Sequence, residues 1–149
     1  MITYFDTSSL LKFIIKEIGS EENLNIWNLS DEKVCSQLTR TEMHSALMRK
    51  VREGSISASA MRARLNAMDK LFADVVLVDI TSEVIDASCE LVKELPLKSA
   101  DAIHLATALM VRADKRFDLS DMIRDRFAEI RVEVRDTPQG VEWGFRQEG

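Results

Sequence analysis

The stretch ITYFDTSSLLK, residues 2–12, decides the fold of this chain. Its first residues are apolar or favour β-structure, and they predict a short buried strand over residues 2–5. Apolar residues then recur at helical spacing and predict a helix from about Thr7 to Lys16. Asp6 stands at the junction between the two elements. A strand that passes directly into a helix is the first half of a βαβ unit.

The same alternation of short strands and helices continues along the chain. Further strands are predicted at residues 33–36, 75–80 and 130–135, and further helices at residues 21–29, 39–53, 57–73, 82–94, 99–111 and 122–128. This alternation favours a parallel sheet between two layers of helices. In such sheets the ligand crevice lies beyond the carboxyl ends of the strands. We therefore expect a three-layer α/β domain with a site near Asp6.

Length and composition predict one domain that is not embedded in a membrane. The chain has 149 residues, and 46% of them are hydrophobic, which is enough to build a core. The first residues reach Asp6 without a basic start or a sustained apolar run, so no signal peptide is expected. No run approaches the length of a membrane span. The expectation is a soluble cytoplasmic protein.

The net charge bears on the class of partner. The formal net charge is −5, which argues against a generally basic nucleic-acid binder. A local basic patch is compatible with that net charge. Arg40, Arg49, Lys50 and Arg52 lie on one predicted helix. They form either a solvated face or a contact for nucleic acid.

Four acidic residues lie at the edges of predicted elements. Asp6 ends the first strand, and Glu42 lies one turn into the helix predicted from Thr39. Asp101 and Asp121 lie near the starts of two later helices. Carboxylates gathered without basic partners form a site for hard divalent cations, and Mg²⁺ works with a few carboxylates plus substrate phosphate. The chemistry that this set implies is hydrolysis of phosphodiesters.

Each acid also has a local interpretation. Asp6 fits a helix N-cap. Residues 39–42, TRTE, fit a capping box in which Glu42 reaches back to the cap amide. Asp101 and Asp121 fit the first turns of helices, where the helix dipole favours negative charge. The combination nevertheless favours a cation site, because clustered like charges raise the free energy unless a cation neutralises them.

Neighbouring polar side chains are candidates for supporting roles. His104 lies three residues after Asp101, on the same helix face. It either orients an acid or contacts substrate, or it is an ordinary hydrogen-bonded helix residue. The hydroxyl of Thr7 or Ser8 is a candidate contact to a metal or phosphate near Asp6, and helix capping by Ser8 is the other interpretation. The residue types alone leave these alternatives open.

Three segments carry a resemblance to a known family. Residues 4–12, YFDTSSLLK, are similar to an opening of the form xDTSALxK. Residues 38–47, LTRTEMHSAL, resemble a second motif in which a Glu follows a strand and begins a helix. Residues 97–108, LKSADAIHLATA, resemble LxxxDAIHLATA, which is the most specific of the three motifs. In this order and spacing the chain resembles a PIN domain, specifically the VapC-type ribonuclease toxins of bacterial toxin–antitoxin pairs.

The resemblance implies both a fold and an activity. It implies a domain over residues 1–136, with a central parallel sheet of four or five short strands, and leaves residues 137–149 as a C-terminal tail. It implies an endoribonuclease that depends on Mg²⁺ or Mn²⁺, with metal-binding roles for Asp6, Glu42 and Asp101. It also implies an RNA substrate, a cognate antitoxin that blocks the site, and a homodimer.

The fourth motif departs from the family pattern. The family has a strand ending in TxD before a helix, and a gapless alignment makes Asp121 the acid of that motif. Leu119 stands where the Thr is expected, and RADKR at residues 112–116 replaces the apolar strand. Asp114 and Asp118 are the other candidates for the fourth acid.

Because of this departure, the function depends on whether a fourth acid is present. With a fourth acid in place, the chain is a metal-dependent endoribonuclease. The catalytic residues are then the four acids, Asp6, Glu42, Asp101 and Asp121. Without a fourth acid, the chain is a PIN-fold binding protein with a degenerate, weakly active or inactive site. A phosphatase of the haloacid dehalogenase type is a third interpretation, which is disfavoured because Ser8 stands where that family's opening has its second Asp.

Overall fold

The sheet and its helices are seen in a computed structural model that describes residues 1–113, 118–119, 132–137 and 140–145. In chain order the elements are β1 (Ile2–Tyr4), α1 (Thr7–Ile14), α2 (Ser20–Leu29), β2 (Glu32–Ser36), α3 (Leu38–Arg52), α4 (Ala58–Ala73), β3 (Val76–Val78), α5 (Ser82–Glu94), α6 (Ser99–Ala113), β4 (Asp118–Leu119), β5 (Val132–Thr137) and β6 (Gly140–Phe145). The helix predicted at residues 122–128 lies outside the described residues. No described helix combines the length and the hydropathy needed to cross a membrane.

β1 lies inside a four-stranded parallel sheet with the order β3-β2-β1-β4. Tyr4 is level with Val34 of β2 and with Leu119 of β4, and Val34 is level with Val76 of β3. The predicted α/β fold with a central parallel sheet is therefore confirmed. Because the strands run in the same direction, their carboxyl ends share one edge of the sheet, and Asp6 follows β1 at that edge.

Two apolar cores lie on opposite faces of the sheet. Successive residues of a strand point to opposite faces. Tyr4 and Val34 accordingly join one core, whereas Phe5 and Cys35, the next residue in each case, join the other. The first core contains residues of α5 and α6, and the second contains residues of α1, α3 and α4. This division produces the three layers that the alternating pattern predicts.

The last two strands form a separate antiparallel pair. β5 overlaps the strand predicted at residues 130–135, but it pairs with β6 rather than with the parallel sheet. The pairing runs from Val132 opposite Phe145 to Thr137 opposite Gly140. β5 spans the expected domain boundary at residue 136. That boundary stays a prediction.

The burial of α3 predicts different costs for two neighbouring substitutions. Leu47 is fully buried in the core with α1 and α4, whereas Met48 beside it is 38% exposed. Leu47→Ala leaves a cavity, so we expect the free energy of unfolding to fall by about 2–5 kcal/mol. Met48→Ala is the matched control, and its expected change lies within about 0.5 kcal/mol. Urea denaturation measures both variants, and equal losses would contradict this orientation of α3.

Candidate active site

Asp6 lies directly beyond β1 and is the N-cap of α1. Its Oδ1 accepts hydrogen bonds from the backbone N–H of Ser9 at 2.8 Å and from the Ser9 hydroxyl at 2.7 Å. The Ser8 hydroxyl lies 2.9 Å from each oxygen of the same carboxylate, to which it donates. The capping interpretation of Asp6 is therefore confirmed, and capping by Ser8 is wrong. The N-terminus of α1 holds the negative charge of Asp6 at the edge of the sheet.

Glu42 lies in α3 but does not cap that helix. Because α3 begins at Leu38, residues 39–42 lie inside the helix rather than at its cap. The capping-box interpretation is wrong for this reason. Glu42 Oε2 instead accepts hydrogen bonds from the hydroxyl of Thr7 and from Nε2 of His104, the latter at 2.7 Å. The side chain of Glu42 is 29% exposed and that of His104 is 10% exposed, so this contact is largely shielded from water.

The pKa of Glu42 is lowered from its ordinary value of 4.5. Burial raises this pKa, but the hydrogen bonds from His104 and Thr7, with the electrostatic contact to His104, outweigh burial. The charge of Asp6 acts in the opposite direction and raises the pKa of Glu42. Asp6 and Glu42 are thus close enough for their charges to interact. The hydrogen bond to Glu42 from Thr7, the residue that follows Asp6, places the two acids near each other.

His104 joins Glu42 to the central strand. Its Nδ1 lies 2.8 Å from the hydroxyl of Tyr4, and its Nε2 lies 3.2 Å from the hydroxyl of Thr7. The rings of Tyr4 and His104 meet edge to face, with centroids 6.2 Å apart. The contact with Glu42 fits the alternative in which His104 orients an acid, and the hydrogen bonds at both ring nitrogens also fit an ordinary hydrogen-bonded helix residue.

Tyr4 is a site residue that the sequence patterns did not suggest. A Tyr within an apolar run is ordinarily strand core, and Tyr4 is indeed fully buried. Burial raises the pKa of Tyr4 well above its usual value of 10, so the phenol keeps its hydrogen at neutral pH. The signal that could have found it is its spacing. Tyr4 precedes Asp6 by two residues, which places both on the same side of an extended chain.

The structure describes the surroundings of the other predicted acids only in part. Asp101 is partly buried in the first turn of α6, one turn before His104. Asp118 lies in β4, next to β1, and Asp114 and Asp121 lie outside the described residues. In the part of the chain that the structure describes, no three His, Cys, Asp or Glu side chains form a group that could hold a metal ion. The meeting of Asp101 with the other acids stays a prediction.

The fold and the motifs match one protein family. The model of the PIN domain family matches residues 3–119, which run from β1 to β4. This match covers well over half of the 149 residues. The chain therefore belongs to the PIN domain family, as its three motifs predict.

Several of the individual relatives are VapC proteins. The chain is 29% identical to Ribonuclease VapC45 of Mycobacterium tuberculosis over 110 residues, which cover 74% of this chain and 76% of the relative. It is similar in structure to VapBC2 from Rickettsia felis bound to a DNA fragment from their promoter, with a TM-score of 0.61, 16% identity, and coverage of 87% of this chain and 93% of the other. It is also similar to VapC20 of Mycobacterium tuberculosis, a Sarcin-Ricin loop cleaving toxin, with a TM-score of 0.59, 16% identity, and coverage of 80% and 87%. The predicted resemblance to VapC-type PIN domains is confirmed.

Thr7→Val tests the hydrogen bond at Glu42 through its pH dependence. The bond favours ionised Glu42 and helps to lower its pKa below 4.5, so its stabilising effect is complete above about pH 4.5 and is lost as the pH falls through the lowered pKa. We expect the variant to be less stable by about 1 kcal/mol at neutral pH, a value reduced for partial exposure. This difference should shrink in acid.

The control for this prediction is Thr3→Val. The hydroxyl of Thr3 accepts a hydrogen bond from the neutral hydroxyl of Ser30 at 2.7 Å, so its loss should cost the same at each pH. Urea denaturation from about pH 3 to about pH 7, in buffer freed of metal, measures both variants. A loss at Thr7→Val that does not change with pH would contradict the contact to Glu42.

Proposed function

We propose that this protein is a metal-dependent endoribonuclease and the toxin component of a type II toxin–antitoxin pair. The observation that carries the proposal is the hydrogen bond from Thr7, the residue that follows Asp6, to Glu42 at the carboxyl edge of the parallel sheet of a PIN domain. Carboxylates at such an edge suit the hydrolysis of phosphodiesters. The name of the relative VapC45, a ribonuclease, supports RNA as the substrate.

The proposed metal ligands are Asp6, Glu42 and Asp101. Carboxylate oxygens, with the Ser8 hydroxyl beside Asp6, are hard donors that fit Mg²⁺ or Mn²⁺. The negative charges of Asp6 and Glu42 repel each other, and a bound cation would offset that repulsion. When bound, such an ion supplies Lewis-acid chemistry, because it lowers the pKa of a water ligand and offsets charge on the phosphate.

The residues around these acids hold them in place. Ser9 fixes Asp6 through its backbone N–H and its hydroxyl, while Thr7 and His104 fix Glu42. Carboxylates that protein donors already order lose little conformational freedom when a ligand arrives. The contribution proposed for this part of the chain is therefore the placement of negative charge at the edge of the sheet.

Basic residues on α3 support contact with the RNA backbone. Arg40, Arg49, Lys50 and Arg52 lie on the same helix as Glu42, and the three arginines are exposed. Within the described residues, none of the four forms an ion pair with a carboxylate. Guanidinium and ammonium groups that no carboxylate neutralises bind phosphates well. RNA binding is thus compatible with the net charge of −5.

A cognate antitoxin, a homodimer and a cytoplasmic location complete the proposal. The structural neighbour from Rickettsia felis is VapBC2, and this supports an antitoxin partner by analogy. The homodimer is proposed from the resemblance to the same family, and the cytoplasmic location from the sequence pattern. An antitoxin that covers the acidic edge would block the access of RNA.

Asp121 is the proposed fourth acid. Leu119 of β4 is level with Tyr4 of β1. Asp121 follows Leu119 by two residues in the sequence, as Asp6 follows Tyr4. This equal offset supports Asp121 over Asp118, which lies within β4. A second candidate function is a PIN-fold binding protein with a degenerate site. The observation behind it is the altered fourth motif.

Asp6→Asn and Asp101→Asn should each lower RNA cleavage at least about 100-fold, the order of effect seen when one electrostatic contact to a reacting group is lost. The chain is purified free of any partner and incubated with structured RNA and Mg²⁺ or Mn²⁺. Asp69→Asn removes an exposed acid on α4 and is the matched control, which should cleave like the wild type. Chelation of the metal should stop cleavage by the wild type.

Two results would count against this mechanism. Equal cleavage by the wild type and by Asp101→Asn would show that the Asp101 carboxylate takes no part in the reaction. No cleavage by the wild type with either metal favours the binding protein with a degenerate site.

The fourth acid is assigned by a second series, Asp114→Asn, Asp118→Asn and Asp121→Asn, in the same cleavage assay. We expect the largest loss, about 10–100-fold, for Asp121→Asn, as for other outer contacts of a metal site. The three variants remove the same charge, so each serves as a control for the other two. A neutral Asp121→Asn change refutes the assignment, and a dominant loss at either other position moves the fourth acid there.

A further inference from the structure

We infer that His104 is a positioning residue for Glu42. His104 and Thr7 hold one oxygen of that carboxylate, Oε2, so that the other oxygen, Oε1, is presented to a divalent cation. Tyr4 in turn holds the imidazole of His104. The inference rests on the proposed function and adds roles for Tyr4 and His104 that the acidic motifs do not define.

The two oxygens of Glu42 have different surroundings. Both hydrogen bonds that Glu42 receives from the described residues go to Oε2, one from the hydroxyl of Thr7 and one from Nε2 of His104. A carboxylate held through one oxygen by two protein donors keeps its plane and direction fixed. Ligating carboxylates in metal sites are commonly oriented by such outer hydrogen bonds. Glu42 therefore offers a cation a single, oriented oxygen.

The hydrogen positions on the imidazole follow from its partners. An ionised carboxylate only accepts hydrogen bonds, so Nε2 of His104 carries the hydrogen that faces Glu42. Nδ1, the other ring nitrogen, shares a hydrogen bond with the hydroxyl of Tyr4, 2.8 Å away. A ring that is bonded at both nitrogens cannot turn without breaking both bonds. Tyr4 thus holds the ring in the orientation that places Nε2 against Glu42.

The network is partly buried and joins four elements. Tyr4 belongs to β1, Thr7 to α1, Glu42 to α3 and His104 to α6. Tyr4 is fully buried and His104 is 9% exposed. Hydrogen bonds shielded from water in this way are directional and lose little to competing solvent. The orientation of Glu42 is consequently set by the fold before any ligand arrives.

A purely structural role for His104 is the rival explanation, and two side-chain amide variants distinguish it from the positioning role. The amide nitrogen of Gln reaches about as far as Nε2 of His, whereas that of Asn reaches only about as far as Nδ1. His104→Gln therefore keeps a donor for Glu42, while His104→Asn keeps only a polar group near Tyr4. Both variants remove the ring, so a structural role predicts similar effects for the two.

The affinity for Mn²⁺ in the absence of RNA is the deciding measurement, made by calorimetry or by electron paramagnetic resonance of free Mn²⁺. We expect His104→Asn to weaken Mn²⁺ binding about 10–100-fold, as for other outer contacts of metal sites, and His104→Gln to stay within about 3-fold of the wild type. Urea midpoints measured without metal report any structural loss separately. Equal Mn²⁺ affinities for the Asn and Gln variants overturn the inference.

Tyr4→Phe keeps the inference testable should His104→Asn fail to fold. It preserves the ring packing and removes only the hydroxyl that holds Nδ1, so we expect Mn²⁺ binding about 3–10-fold weaker than in the wild type. Unchanged affinity in Tyr4→Phe removes Tyr4 from the network. A wild type that binds no Mn²⁺ overturns the presentation of Glu42 altogether.

The failure of this inference differs from the failure of the proposed function. A wild type that binds Mn²⁺ with the expected order of variants but cleaves no RNA refutes the nuclease and leaves the positioning role standing. A wild type that cleaves RNA, with Asn and Gln variants that bind Mn²⁺ equally, refutes the positioning role and leaves the nuclease standing.

Discussion

The placement of the other elements depends on β1, whose backbone pairs in parallel with β2 on one side and β4 on the other. Because neighbouring residues of a strand face opposite sides, Tyr4 and Phe5 anchor two separate cores. The chain then turns directly into α1, whose first N–H groups require an acceptor. Asp6 supplies it. Asp6 thus lies two residues beyond β1 and caps α1, so the backbone itself sets the position of this acid.

Much of the fold could be predicted because its signals are local. The helix expected from residue 57 starts with a cap from Ser57, and α3 ends before Gly54, whose φ of 76° suits a glycine. The pairing of strands is harder to predict, since the residues of a strand do not determine which other strand pairs with it. The strand expected at residues 130–135 overlaps β5, which is a strand but pairs antiparallel with β6. Nothing in residues 130–135 alone distinguishes that pairing from a place in the parallel sheet.

The candidate site shows the same limit at the level of single side chains. The capping box at residues 39–42 was a reasonable local interpretation, but it ignored a tertiary partner that lies 62 positions away, His104. A carboxylate shielded from water that accepts hydrogen bonds from a hydroxyl and an imidazole is more strongly stabilised than a carboxylate at an exposed helix cap. Tyr4 was missed for a related reason, because its hydroxyl is hidden within an apolar run. Motifs identify the acids and make His104 a candidate for orienting one of them, whereas the contact of His104 with Glu42 and the part of Tyr4 emerge only from packing.

The hydrogen bonds around Glu42 connect parts of the chain that are made at different times. Thr7 and Glu42 are 35 positions apart, Glu42 and His104 are 62 apart, and Tyr4 and His104 are 100 apart. Contacts of such long range form late, because the intervening chain must first close into loops. A ribosome that has made β1 through α5 has produced Asp6 and Glu42 but not the imidazole that orients them. A protein proposed to cut RNA therefore lacks an assembled site during most of its own translation and acquires one only when α6 docks.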